Sequence, residues 1–196
     1  MTEPRISVVI PTSGRPVQLA NCLRALEATT IDRRTFEVVV VADGDSDAAA
    51  AIAPLRDRLE LVLVEQPHAG PAAARNAGSR RARGVLLAFV DDDCRPSADW
   101  LARMIERLDE APDALIGGRT VNGLTRNGYA VASQLIIDLV YACYNANPQH
   151  AGFFASNNMA LAKAAWEELG GFNPAFHTAE DRDFCRRWRR SGRRMI

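Results

Sequence analysis

At 196 residues with 47% hydrophobic side chains, the chain can bury one substantial core, which excludes a largely disordered polypeptide. Its 24 lysines and arginines balance 24 aspartates and glutamates, so no net field draws it to nucleic acid, and any basic surface has to be local. The four cysteines, Cys22, Cys94, Cys143 and Cys185, form no C-x-x-C pair, which argues against a zinc site and fits reduced thiols in a cytoplasmic setting.

The start, Met1-Thr2-Glu3-Pro4-Arg5, has no signal- or transit-peptide character and turns directly into a β-branched run, Ile6 to Ile10. A Pro-Thr-Ser-Gly loop follows, then a segment from Val17 to Leu26 with Leu19, Leu23 and Leu26 at helical spacing. Phe36 to Val41 is a second strand, closed by Ala42-Asp43-Gly44-Asp45, and an alanine-rich helix leads to a third, Leu59 to Val64. Gly70 to Arg83 reads as a helix and Val85 to Val90 as a fourth strand. Short, fully apolar strands alternating with helices predict an α/β fold with a Rossmann-like, mostly parallel sheet covered on both faces. Ligands of such sheets bind at the carboxyl ends of the strands. Three polar loops, Pro11 to Arg15, Asp43 to Asp47 and Asp91 to Asp93, fall on that edge.

The last of these loops is the most informative. In an extended strand Asp91 and Asp93 project to one side and Asp92 to the other. Adjacent carboxylates repel one another, and a bound cation keeps them ionised while anchoring a phosphate-bearing substrate. Beyond it, Pro96 to Leu108 is expected to be a helix and Ala114 to Val121 a further strand around Gly117-Gly118. The regular pattern then stops: Asn122 to Gln149 holds a loop, an apolar stretch from Tyr129 to Tyr144 and an Asn-Pro break. That stretch, interrupted by Gln134 and Asp138, is too short and polar to span a bilayer. It is expected as a core or acceptor-site helix, with contact to a membrane surface as the alternative.

From Ala179 to Ser191 the pattern is helical, and Arg193-Arg194-Met195-Ile196 reads as a strand barely begun, so the chain is expected to continue past Ile196. On that helix Asp181 shares a face with Phe184, Cys185 and Trp188, and partial desolvation would raise its pKa toward that of a general base. Seven arginines between Arg182 and Arg194 are read as a solvated face, a phosphate-linked lipid being the ligand otherwise favoured. Plainer roles stand beside the others: turn and N-cap acids at Asp43 to Asp45 and Asp91 to Asp93, and a helix-start acid at Asp181.

Taken in order, Ser7-Val8-Val9-Ile10-Pro11-Thr12, Val39-Val40-Val41-Ala42-Asp43-Gly44, Ala73-Ala74-Arg75-Asn76-Ala77-Gly78, Asp91-Asp92-Asp93, Ser156-Asn157-Asn158, Gly170-Gly171-Phe172 and Glu180-Asp181 resemble family 2 glycosyltransferases. The resemblance implies a GT-A fold in a single domain over 1–196, with a nucleotide-sugar half at 1–121 and an acceptor half at 122–196, the latter incomplete. It implies inverting transfer from a nucleotide-diphospho sugar, UDP-linked, to a saccharide, lipid-linked or other hydroxyl acceptor in polysaccharide or glycolipid synthesis. The location implied is cytoplasmic or membrane-peripheral. Mn²⁺ or Mg²⁺ is the implied cofactor, since hard oxygen ligands suit those ions.

By the same resemblance, Pro11, Thr12 and Arg15 border the base and diphosphate, and Asp43 accepts the imide hydrogen bond of a uracil or thymine. Arg75 lies near the diphosphate and holds the acid cluster in place. Asp91 lies near the ribose and, with Asp93, at the metal; Asp92 is assigned to the nucleotide. His177 is a candidate metal ligand, set against a solvated loop histidine. Asn157 and Asn158 fall in the loop that contacts acceptor or sugar, set against a purely backbone-satisfying role. Asp181 is the base, and Glu180 orients it or the acceptor. Ala42 departs from the family, which usually carries an acid there, and no Gln-x-x-Arg-Trp motif occurs, leaving processivity open. The competing readings are a nucleotide-sugar-binding domain without transfer and another α/β phosphate enzyme. The second finds neither G-x-G-x-x-G nor G-x-x-x-x-G-K-[ST].

Overall fold

The β-branched runs form the centre of a six-stranded sheet in the computed structural model, which describes residues 3–44 and 47–196; Met1, Thr2, Asp45 and Ser46 of the motifs above lie outside the described residues. In chain order the elements are β1 (Ile6–Thr12), α1 (Pro16–Glu27), β2 (Phe36–Asp43), α2 (Ala48–Ile52), β3 (Leu61–Gln66), α3 (Pro71–Arg81) and β4 (Leu86–Phe89). There follow α4 (Trp100–Glu110), β5 (Ile116–Gly117), α5 (Gly128–Tyr144), β6 (Met159–Ala162), α6 (Lys163–Glu168) and α7 (Glu180–Arg190). The strand order is β3-β2-β1-β4-β6-β5, with the first four parallel and β6 antiparallel to both β4 and β5.

The alternation of strand side chains explains why the runs are apolar throughout. Val8, Ile10, Val38 and Val40 point to one face, where they meet Leu19, Leu23 and Leu26 of α1 and Leu101, Met104 and Leu108 of α4. Val9, Leu87, Phe89 and Met159 point to the other, against Trp166, Phe172, Phe184 and Trp188. With helices on both faces neither side of the sheet meets water. The aromatic layer is tight: the Trp166 ring centroid lies 4.6 Å from that of Phe172 and 4.9 Å from those of Phe89 and Phe184.

At the amino ends of the strands the fold buries a charge. Glu37 is fully buried and accepts hydrogen bonds from Ser7 Oγ at 2.6 Å, Arg83 N at 2.6 Å and Arg83 Nε at 2.8 Å. Burial pushes its carboxyl up, but the Ser7 and Arg83 donors outweigh burial and hold it below the usual range.

The second half corrects several expectations. The strand expected over Ala114 to Val121 shrinks to two residues, because a Cβ on Gly117 would sit 1.9 Å from the Phe154 ring and one on Gly118 2.6 Å from the Asn158 amide. Side chains crossing there end the ladder. β6 and α6 carry no sequence signal of their own: four residues of strand run straight into a short helix. The helix expected from Pro96 starts at Trp100. The final residues do add to the sheet, Met195 bridging to Leu115 in parallel. Helix α5 forms where the apolar stretch predicts, capped by Asn127, whose Oδ1 accepts from Tyr129 N and Ala130 N. None of its residues is buried, so it is not a core helix.

Candidate active site

The carboxyl ends of β1 and β2, the loop after β4 and the first turns of α3 enclose a recess of about 220 Å³, lined by Thr12, Arg15, Asp43, His68, Arg75, Asp91 and Asp92 among others. A wider open groove along Ile31, Asp32 and α4 brings together none of the predicted site residues.

Asp92 sits inside the recess, which corrects the expectation that it points away. β4 ends at Phe89, so strand alternation no longer governs the acids, and a Cys94 N–H to Asp91 carbonyl bond of 3.1 Å closes a turn. Asp92 is buried and accepts from Thr12 Oγ1 at 2.7 Å and Arg15 Nη1 at 3.3 Å. Burial raises its pKa; the Thr12 hydroxyl and Arg15 oppose that, while the charges of Asp93 and Asp91 add to it. Asp93 is exposed and paired with the same Arg15 nitrogen at 3.1 Å.

Arg75 crosses the floor of the site. Its guanidinium is almost fully buried and donates from Nη2 to Asp91 Oδ1 at 2.5 Å and from Nη1 to Glu180 Oε1 at 2.9 Å. It lies 5.7 Å from the centroid of the Phe172 ring, and its Nε has no hydrogen-bond partner among the described residues. A planar fork suits this job, since two carboxylates on different elements are joined by one rigid group.

Glu180 opens α7 directly after Ala179, whose φ of +65° is left-handed. That conformation costs an alanine about 1–2 kcal/mol, and strain of this kind concentrates at functional sites. Asp181 follows, half-buried and above the ordinary carboxyl pKa. Burial is the main cause and the neighbouring Glu180 charge adds to it, opposed by the backbone N–H of Arg182, by Arg75 and by the backbone N–H of Ser156. Phe184, Cys185 and Trp188 are buried on the α7 face predicted for them.

Asp43 is buried and heavily engaged. Oδ1 accepts from Gln66 Nε2 and Ala69 N, both at 2.8 Å, and Oδ2 from Gly70 N at 2.9 Å. The exposed His68 ring places Nδ1 3.0 Å from Oδ2 and 3.3 Å from the Asp43 carbonyl oxygen. Gly44, at φ +79°, makes room for it: a Cβ there would lie 2.9 Å from His68 Cβ.

Asn157 and Asn158 are tied to the protein. Asn158 Oδ1 accepts from Trp100 Nε1 at 2.9 Å and its amide donates to the Arg119 carbonyl at 3.3 Å, while Asn157 Oδ1 accepts from Thr120 Oγ1 at 3.4 Å. His177 is exposed in the loop before α7. Sequence reasoning missed the roles of His68 and Asn76. Asn76 exchanges two hydrogen bonds with the Phe172 backbone, 2.7 Å to its carbonyl and 2.9 Å from its N–H, and so pins the Gly170-Gly171-Phe172 turn to α3. The pairing of the two motifs was the available signal.

Among the described residues, no three His, Cys, Asp or Glu side chains converge to hold a metal ion unaided. Asp91 and Asp93 carry hard oxygens of the kind that Mn²⁺ or Mg²⁺ takes alongside substrate phosphates, and here Arg75 and Arg15 each engage one of them. The Cys94 thiol beside these acids is pushed up to about 12, by burial first and then by the charges of Asp91 and Asp93.

The family model for Glycosyl transferase family 2 matches residues 7–170. Glycosyltransferase AglE of Haloferax volcanii is 36% identical over 121 residues, which is 60% of this chain and 40% of that protein. The mannosyltransferase PcManGT from Pyrobaculum calidifontis, solved with GDP-Man and Mn²⁺, superposes with a TM-score of 0.80 at 23% identity, covering 100% of this chain and 55% of that one. TarS of S. aureus, in complex with UDP-GlcNAc, gives a TM-score of 0.74 at 22% identity, covering 93% and 52%. The chain thus spans 40% of the curated relative AglE and about half of these two solved chains, the second being TarS 1–349.

Proposed function

The chain belongs to glycosyl transferase family 2, and from that premise we propose that it moves a sugar from a nucleotide-diphospho donor, UDP-linked, to the hydroxyl of a saccharide or lipid-linked acceptor with inversion. The observation that carries this reading is the Arg75 fork, which joins Asp91 on the nucleotide side to Glu180 beside a carboxyl of raised pKa, Asp181.

Thr12 and Arg15 hold Asp92 in the recess, and Arg15 and Arg75 supply positive charge where a diphosphate would lie. Mn²⁺ or Mg²⁺ on Asp91 and Asp93, when bound, would neutralise the diphosphate and make it a better leaving group. Asp181 takes the proton of the acceptor hydroxyl as that oxygen attacks the anomeric carbon. Its desolvation makes it a stronger base than an exposed aspartate. Glu180, fixed by Arg75, holds the first turn of α7 in place. Preorganised charge at the departing diphosphate is the largest catalytic contribution expected. Attack in a single displacement inverts the anomeric centre.

The test is twofold. UDP with Mn²⁺ should raise Tm, a ligand at a hundred times its Kd adding about 2.7 kcal/mol. UDP release from UDP-sugars should then be lost in Asp181→Asn while the Tm shift remains. A shift without turnover in the unaltered chain would assign it nucleotide-sugar binding alone, and a larger shift with GDP would replace UDP as the donor class.

A further inference from the structure

We infer that the outward face of α5, together with an arginine stripe on α7, docks the protein on an anionic lipid bilayer. Helix α5 is oriented against the usual rule: Gln134 and Asp138 face the protein, and most of its large apolar residues, Val140 and Tyr141 apart, face water. Gln134, Asp138 and Tyr141, at i, i+4 and i+7, turn inward, where Gln134 Nε2 donates to the Thr120 carbonyl at 3.0 Å and Arg119 pairs with Asp138 at 3.2 Å. The Tyr141 hydroxyl accepts from Ala155 N at 3.0 Å.

Ala132, Leu135, Ile136, Leu139 and Cys143 form the opposite stripe, all exposed. Leu135, Ile136 and Leu139 are 65–66% exposed and Tyr129 is 89% exposed. Single apolar residues on a surface need no explanation, but a continuous stripe along a helix of about 25 Å does. Tyrosines at both ends, Tyr129 and Tyr144, suit the boundary between acyl chains and head groups. Among the described residues no helix is long and apolar enough to cross a membrane, and the contact proposed is that of an amphipathic helix lying in the plane of the interface.

Charge selects the bilayer over a second copy of the chain. On α7, Arg182, Arg186 and Arg189 are exposed at i, i+4 and i+7 and flank Cys185, whose thiol donates to the Phe154 carbonyl at 3.4 Å. The Arg182 guanidinium lies 5.5 Å from the Phe153 ring, which in turn packs 6.2 Å from Tyr144 and 5.9 Å from Tyr141. The arginine stripe therefore borders the C-terminal end of the apolar face. Like-charged stripes would repel in a pair of copies, whereas anionic head groups attract them.

The experiment is flotation of the 196-residue chain with vesicles of phosphatidylcholine alone and of an equimolar mixture with phosphatidylglycerol, without nucleotide, so that the result is independent of the donor assignment. The mixed vesicles should bind and release the protein at high salt. Leu135→Asp with Leu139→Asp should lower binding at least tenfold, and Arg186→Gln about fivefold on anionic vesicles only. Both variants change exposed residues, so their circular dichroism should match the parent. Absence of binding to either vesicle, or binding unmoved by both variants, overturns the proposal. So does a self-associated species in sedimentation that the leucine variant dissociates, which would assign the face to a second copy.

Discussion

His68 is the side chain on which the proposed reading of a base by Asp43 turns. Three donors fixed by the loop already bind the Asp43 carboxylate, and His68, largely exposed, stands where a fourth would approach. A base imide reaching Asp43 has to displace the imidazole, so His68→Ala should tighten UDP binding severalfold by isothermal titration. Weaker binding would show that the ring itself holds the base. Arg75 makes a sharper prediction. A lysine there carries the charge but cannot span two carboxylates, so Arg75→Lys should cost about 3 kcal/mol in thermal unfolding and lower turnover with it. The strand-end residues are legible in sequence because polar residues after apolar strands have one edge to occupy. The inward turn of Asp92 is not, since it depends on β4 stopping at Phe89, and no local pattern marks that.

Between elements, the seat of α3 is set by a missing side chain. A Cβ on Gly78 would approach Val9 Cγ1 to 2.5 Å and Val41 Cγ2 to 2.9 Å, so the helix lies directly on β1 and β2. Gly78→Ala should destabilise the protein by about 1–3 kcal/mol through overpacking, read by urea denaturation, and should weaken nucleotide binding because Arg75 rides on the same helix. The parallel strands and the helices between them are legible from continuous apolar runs and leucine spacing. Helix α5 shows the limit: its periodicity reports an apolar stripe but not which way that stripe faces. The short β6 and α6 escape notice because four strand residues followed at once by a helix give neither period room to repeat.

Across the whole molecule the two ends of the sheet carry opposite electrostatic arrangements. At the carboxyl ends Asp92 and Asp181 are held above the ordinary range, and at the amino ends Glu37 is held below it. A lowered folded pKa contributes stability above the unfolded value, lost as pH falls through the folded one. Glu37 therefore makes the fold sensitive to acid, and Glu37→Gln should flatten the fall of Tm below about pH 4.5 while lowering Tm at neutral pH. For Asp92 and Asp181 the sign reverses: their protonated forms are favoured in the fold, so their contribution is greatest below the unfolded pKa and declines as pH rises through the folded one. The pairing of buried Ser7 and Glu37 with exposed Arg83 was not legible, because its members are ordinary polar residues until the sheet places them together.

The Arg75 guanidinium also has a thermodynamic consequence. It is shared between Asp91 and Glu180, so any ligand that changes its bond to one carboxylate changes its bond to the other. Coupling of that kind is reciprocal: if donor binding at Asp91 alters acceptor affinity beside Glu180 by some factor, acceptor binding alters donor affinity by the same factor. On the assignment proposed above, a single side chain then makes donor and acceptor report on each other's presence before any bond is broken.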